Sequence, residues 1–111
     1  MEDCIFCKIA RGEIPSANVY EDERVLAFRD IDPKAPAHVL IVPKVHFAGV
    51  LDADAQTIAA LFAAAKQIAK TLGVDETGFR LVINTGSDGG QSVPHLHMHL
   101  LGGRALAWPP G

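Results

Sequence analysis

Histidines 95, 97 and 99 alternate with Leu96, Met98 and Leu100. Alternate side chains of an extended strand share a face and stand roughly 7 Å apart. The spacing therefore predicts a row of three imidazoles on one face of a sheet and an apolar row on the other. A neutral imidazole is a nucleophile near pH 7, and a protonated one donates hydrogen bonds and offsets the charge of a phosphate oxygen. Attack on phosphorus needs a nucleophile, an offset for charge on the equatorial oxygens and a proton donor for the leaving group. Adjacent imidazoles can divide those tasks, with His97 in the middle as the nucleophile and His95 and His99 at its flanks.

The segment before this row, Thr85 to Ser92, holds Gly86, Gly89 and Gly90. Glycines let backbone N–H groups approach an anion closely, and the Ser92 hydroxyl can reach a leaving atom. No GxxxxGK[ST] or GxGxxG pattern is present, which argues against P-loop and dinucleotide-binding readings. Cys4-x-x-Cys7 is either half of a metal site or a pair of buried thiols. A reducing compartment disfavours a disulfide.

These residues must be held by short elements. Residues 4–11 predict a short helix with Ile5, Phe6 and Ile9 on its apolar side, interrupted by Gly12 and Pro15. Ala17 to Tyr20 and Val25 to Arg29 predict a hairpin, and His38 to Pro43 a strand of branched residues after the stiff loop Asp32 to Pro36. From about Asp54 to Leu72 the residues Ile58, Leu61, Phe62, Ala65, Ile68, Ala69 and Leu72 recur at helical spacing. Asp54 suits the first turn, Gly73 the stop, and Lys66 and Lys70 the negative end of the dipole. Phe79 to Asn84 predicts a fourth strand and the histidine row a fifth. The order implies an α+β domain with a mostly antiparallel sheet of five strands, one long helix and one short one.

The chain has 111 residues, 49% of them apolar, enough for one domain with a modest core. A cleft asks for more wall than that, which favours a homodimer. The formal charge of −3 argues against a nucleic-acid or membrane surface. The N-terminus Met1 to Cys4 is acidic and polar, and no apolar run approaches a signal segment or membrane span, so the expected location is cytoplasmic. No internal repeat, low-complexity tract or linker interrupts residues 1–111.

The run His95 to Leu101 resembles the His-x-His-x-His-x-x signature of the histidine triad (HIT) superfamily, with x apolar. Cys4 to Ile9, Ala27 to Ile31, Ala35 to Lys44 and Asn84 to Val93 resemble further segments of that family in family order. Leu101 to Arg104 with Trp108 to Gly111 is similar to its Hint branch, the histidine triad nucleotide-binding proteins. Pro94 departs from the aromatic residue common before the first histidine.

The resemblance implies a HIT fold that dimerises into a larger sheet. It also implies a purine nucleoside phosphoramidase that cleaves P–N bonds of adenosine or guanosine 5'-phosphoramidates through a nucleotidyl-histidine intermediate. It makes His97 the nucleophile, gives His99 an α-phosphate oxygen, and has His38 and His95 orient the cluster. Ser92 would face the leaving nitrogen, and Asn84, Gly90 and Gln91 would complete the phosphate side. Asp30 would bind the ribose hydroxyls, while Ile5, Phe6, Ile9, Phe28, Ile31 and Leu40 would enclose the base. Trp108 would reach toward the partner's active site. Catalysis would need no cofactor. By resemblance to relatives with an N-terminal CxxC, Cys4, Cys7, His46 and His95 would hold a structural zinc of Cys2His2 type.

Three other functions compete: a dinucleoside polyphosphate hydrolase or nucleotidylyl transferase of the same superfamily, a nucleotide-binding interaction module, and a metal-dependent hydrolase built on HxH. His99 argues against the transferase, where the third histidine is typically replaced.

Overall fold

The computed structural model describes residues 3–111, so Met1 and Glu2 of the acidic N-terminus lie outside the described residues. The chain runs α1 (Ile5–Ala10), β1 (Asn18–Glu21), β2 (Val25–Arg29), β3 (Ala37–Pro43), a 3-10 turn (Val50–Asp52), α2 (Ala55–Leu72), β4 (Phe79–Val82) and β5 (Met98–Gly102). The five strands form one sheet in the order β1-β2-β3-β5-β4, antiparallel at every step. This is the α+β architecture the sequence implies.

Local chemistry sets the ends of these elements. The Asp54 carboxylate accepts the Thr57 amide at 2.8 Å and caps α2, while Gly73 closes it with a left-handed φ of 76°. In the β1–β2 turn, Asp22 Oδ1 accepts the amides of Arg24 and Val25, each at 2.8 Å. Cys4 caps the short α1, its Sγ accepting the Cys7 amide at 3.4 Å.

The register sorts side chains onto two faces. Ala27 pairs with Ile41 and Ile41 with Met98; these join Val39, Leu96 and Leu100 in a core closed by Leu61, Ala64, Ala65, Ile68 and Ala69 of α2. Phe28 pairs with Leu40 and Leu40 with His99 on the opposite face, where Phe6 and Ile9 of α1 pack against Leu26, Phe28, Leu40 and Val42. His99 lies on the α1 face, and α2 packs against the opposite one.

Beyond shifts of one residue at the ends of α1, β1 and β3, the structure differs from the sequence reading at three places. Strand β5 begins at Met98, so His95 and His97 precede it. Pro94 has no amide to donate, the His95 amide turns back onto the Val93 carbonyl at 2.8 Å, and the Leu96 amide donates to Phe47 at 2.7 Å instead of joining the ladder. The alternation of faces survives in this lead-in, because Leu96 is buried in the α2-side core beside Met98 and Leu100. Strand β4 accordingly ends at Val82, paired with His99, and leaves Ile83 and Asn84 outside the ladder. On α2 the buried stripe is centred on Ala64, Ala65, Ile68 and Ala69, where small side chains let the helix lie close to the sheet, and Phe62 stays 45% exposed.

Candidate active site and metal centre

Fixed backbone partners assign the proton on the first two rings of the histidine row, His95 and His97. The Pro43 carbonyl can only accept, so His95 Nε2, 2.9 Å away, carries the proton of the neutral ring. His95 Nδ1 then offers its lone pair to a cluster with Cys4 Sγ at 3.2 Å, Cys7 Sγ at 3.5 Å and His46 Nδ1 at 3.2 Å. His97 Nδ1–H donates to the His95 carbonyl at 2.7 Å, which leaves Nε2 as the lone-pair nitrogen of that ring. The edge-on Phe6 ring, 5.2 Å from His97 between centroids, helps hold the imidazole in place.

On the other side of the row the logic is inverted. The Lys34 amide donates to His38 Nδ1 at 3.0 Å, so neutral His38 carries its proton on Nε2. That proton is given to His99 Nδ1 at 2.9 Å, with Asp30 Oδ2 at 3.4 Å from the same nitrogen. His99 is thereby left with its proton on Nε2. Neighbouring rings, 5.1 Å apart between centroids, thus present a lone pair from His97 and a donor from His99.

Burial lowers the proton affinity of His99 to a pKa of about 4, helped by His97 and His38 and opposed by Asp30. Burial likewise lowers His38, with Asp30 opposing and Lys34 adding to the effect. At neutral pH His99 supplies a hydrogen bond in place of the positive charge that residue types alone suggest.

Two cavities flank α1. One of about 310 Å³ is lined by Ile5, Phe6, Ile9, Phe28, Asp30, Ile31 and Leu40, the full set to which the resemblance assigns base and ribose. Pro15, Ser16, Ala17 and Arg29 complete its wall. The sequence reading missed these four, and their only signal is position, between the helix stop and β1 or next to Asp30. Ile31 forms the rim and is fully exposed, so it shields the cavity without being core. A second cavity of about 420 Å³ is lined by Asp3, Cys4, Ile5, His46, Ser92, Val93 and Pro94, which puts Ser92 on the far side of Ile5 from the first cavity. Asn84 and Gly90 line neither.

The glycine-rich loop is knit by Gln91. Its Oε1 accepts the Gly86 amide at 3.1 Å, and its Nε2 donates to the Ala48 and Val93 carbonyls at 2.7 and 3.0 Å. The amides of Gly90 and Gln91 are engaged with Ser87 and Gly86. Gly89 is required by space, since a Cβ there would stand 2.4 Å from the Thr85 carbonyl oxygen.

Two groups of donors have metal-like proximity: Cys4, Cys7, His46 and His95, and Asp30, His38 and His99. Tetrahedral zinc, with bonds of about 2.3 Å to sulfur and 2.0–2.1 Å to nitrogen, separates its donors by about 3.3–3.8 Å. The first group comes within a few tenths of an ångström of this spacing, with Cys7 Sγ to His46 Nδ1 at 3.3 Å and the His95 contacts at 3.2–3.5 Å. Burial and the neighbouring Cys4 push the Cys7 thiol up, a balance that a divalent cation reverses. The donor set therefore fits zinc. In the second group a proton fixed on His38 Nε2 occupies the direction a cation would need, so this group is a hydrogen-bond relay.

Fold and site together define a histidine triad protein: the HIT domain model matches residues 11–106, and the chain belongs to this family. It is similar to a 14 kDa zinc-binding protein of Brassica juncea, 53% identical over 98% of this chain and all of that one. It is 50% identical to a purine nucleoside phosphoramidase of Escherichia coli over 95% of this chain and 91% of the relative. The crystal structure of a HIT family hydrolase from Legionella pneumophila superposes with a TM-score of 0.95 at 52% identity, covering 98% of this chain and all of that one.

Proposed function

We propose that the protein hydrolyses the P–N bond of purine nucleoside 5'-phosphoramidates. The observation that carries this reading is the lone-pair nitrogen of His97 beside the N–H donor of His99, with Phe6, edge-on to His97, lining a cavity that also holds Asp30. The phosphoramidase named among the relatives supports it.

The base lies between α1 and the sheet, against Phe6, Phe28 and Leu40, and Asp30 accepts the ribose hydroxyls. His97 Nε2 forms a bond to the α-phosphorus while the P–N bond breaks. Its electron pair leaves on nitrogen, which takes a proton from the Ser92 hydroxyl. As His97 becomes a nucleotidyl imidazolium, the His95 carbonyl at 2.7 Å steadies the positive charge at Nδ1–H. His99 Nε2–H bonds a phosphate oxygen throughout. Water then attacks phosphorus and gives one proton back to the Ser92 oxygen, while the P–N bond to His97 breaks, its electron pair returns to Nε2 and the nucleoside monophosphate is released. Gln91 and Gly90 act by shaping the loop, and Asn84 closes the phosphate side.

We further infer that Cys4, Cys7, His46 and His95 hold a structural zinc, which supplies a cross-link between α1 and the sheet. The chain acts as one HIT domain in the cytoplasm and engages neither nucleic acid nor membrane; among the described residues no helix is long and apolar enough to cross a membrane. Two copies pair through the free edge of β4 and through α2, where Phe79 and Phe62 are 39% and 45% exposed. Trp108, 81% exposed, would reach the partner's leaving-group side. Steady-state hydrolysis of adenosine 5'-phosphoramidate tests the reading.

A further inference from the structure

We propose that Arg104 is a positioning residue for this reaction: it fastens the loop carrying Asp30 and Lys34, and through that loop it fixes which nitrogens of His38 and His99 hold protons. The proposal rests on the phosphoramidase reading for its catalytic consequence and on hydrogen-bond geometry for the rest. Arg104 Nη2 and Nε both donate to the Lys34 carbonyl, at 2.8 and 3.3 Å, and Nη1 donates to the Ala105 carbonyl at 2.9 Å. A planar guanidinium held at three points is a rigid strut. The turn that carries it is seated against the same loop, because Gly103, at φ +89°, lies where a Cβ would come within 2.9 Å of Pro36 Cβ.

The Lys34 residue held in this way also donates its amide to His38 Nδ1. The chain of contacts therefore runs from Arg104 to Lys34, to His38, to His99 and to the phosphate. With Arg104 gone, the Lys34 amide is free to drift from His38 Nδ1, and that nitrogen can take a proton. His99 Nδ1 then loses its fixed donor, and the N–H that faces the phosphate is no longer assured. The groups facing His38 are Asp30 and His99 at its Nε2, with Lys34 and Asp32 on the loop. An N–H aimed at a ring nitrogen opposes a second proton on that ring, so its loss raises the proton affinity of His38. Activity that needs neutral His38 then fails at a higher pH.

The test compares Arg104→Ala and Arg104→Lys with the wild-type chain in three measurements: melting temperature, the pH profile of adenosine 5'-phosphoramidate hydrolysis, and nitrogen-15 NMR of the histidine rings. Arg104→Ala is expected to lower kcat about tenfold at pH 7 and to move the acid limb up by about half a pH unit or more. Arg104→Lys, which keeps one donor, should recover most of both. The NMR arm needs no substrate and so separates this proposal from the phosphoramidase reading: wild-type His38 should hold its proton on Nε2 alone, and Arg104→Ala should show a mixture. An unchanged acid limb and an unchanged His38 tautomer in a folded Arg104→Ala variant would overturn the proposal. Should that variant not fold, the same two readouts on Arg104→Gln decide.

Discussion

His38 Nε2 stands 2.9 Å from His99 Nδ1 while the Lys34 amide closes off His38 Nδ1, so the proton between the two rings has one place to be. That pair leaves His99 an N–H donor at Nε2, the group that the proposed mechanism aims at a phosphate oxygen. Replacing His38 by Phe keeps a ring and removes the donor. The expected result is a fall in kcat by about tenfold to a hundredfold, the effect of one lost hydrogen bond of about 1–3 kcal/mol, with KM for the nucleotide moved less. Wild-type kcat in His38→Phe would show that the relay is idle.

The depressed proton affinity of His99 has a consequence for stability. Its folded pKa of about 4 lies below its ordinary value of 6.5, so between these pH values the unfolded chain holds a proton that the folded chain refuses. Stability therefore falls as pH drops through that window and levels off below it. Full conversion at 1.36 kcal/mol per unit bounds the loss at about 3 kcal/mol, which solvent around this half-buried ring cuts to about 1–2 kcal/mol. Urea unfolding of the wild type and His99→Gln from pH 7 to pH 4 should diverge by that amount, with the wild type losing more. Parallel curves would refute the assignment.

The zinc proposed at Cys4, Cys7, His46 and His95 would appear as folding stability. Cys4→Ser combined with Cys7→Ser is expected to lower the melting temperature by about 10 °C or more, as a loss of about 2 kcal/mol does for a domain of this size. Chelator should produce a like fall in the wild type and none in the double variant. P–N cleavage at low temperature should persist, because His97 and His99 are untouched. Elemental analysis of untagged protein giving under half an equivalent of zinc, with no chelator effect, would return both cysteines to the role of buried thiols.

The proposed pairing through the β4 edge and through α2 predicts that Phe62→Glu, placing a charge on exposed Phe62 of α2, yields monomers at micromolar concentration in light scattering while the wild type remains dimeric. A wild-type monomer would end the paired-sheet proposal. Unchanged selectivity among leaving amines in Trp108→Ala would end the role given to the tail.

What the sequence makes legible here is local. Asp54 and Gly73 mark the ends of α2 because a cap and a left-handed stop act within a few residues, and the two faces around His95 to Leu100 follow from a period of two. The late start of β5 depends on the Leu96 amide choosing Phe47, a contact between distant segments that no local pattern displays. Gln91 reads as a phosphate ligand by position, yet its side chain is committed to Ala48, Val93 and Gly86. The proton arrangement of the histidine row is equally hidden, since Pro43 and Lys34 impose it across the sheet and the loop.

The proposed mechanism requires His97 to carry the nucleotide covalently. Rapid quenching of wild-type protein with adenosine 5'-phosphoramidate, followed by peptide mass mapping, tests it most directly. One adenylyl group is expected on His97, formed and lost at rates that match turnover, with no adduct or turnover in His97→Gly. Turnover without an adduct, or a His97→Gly variant retaining more than about a tenth of the wild-type rate, equivalent to less than about 1.4 kcal/mol of barrier, would contradict it.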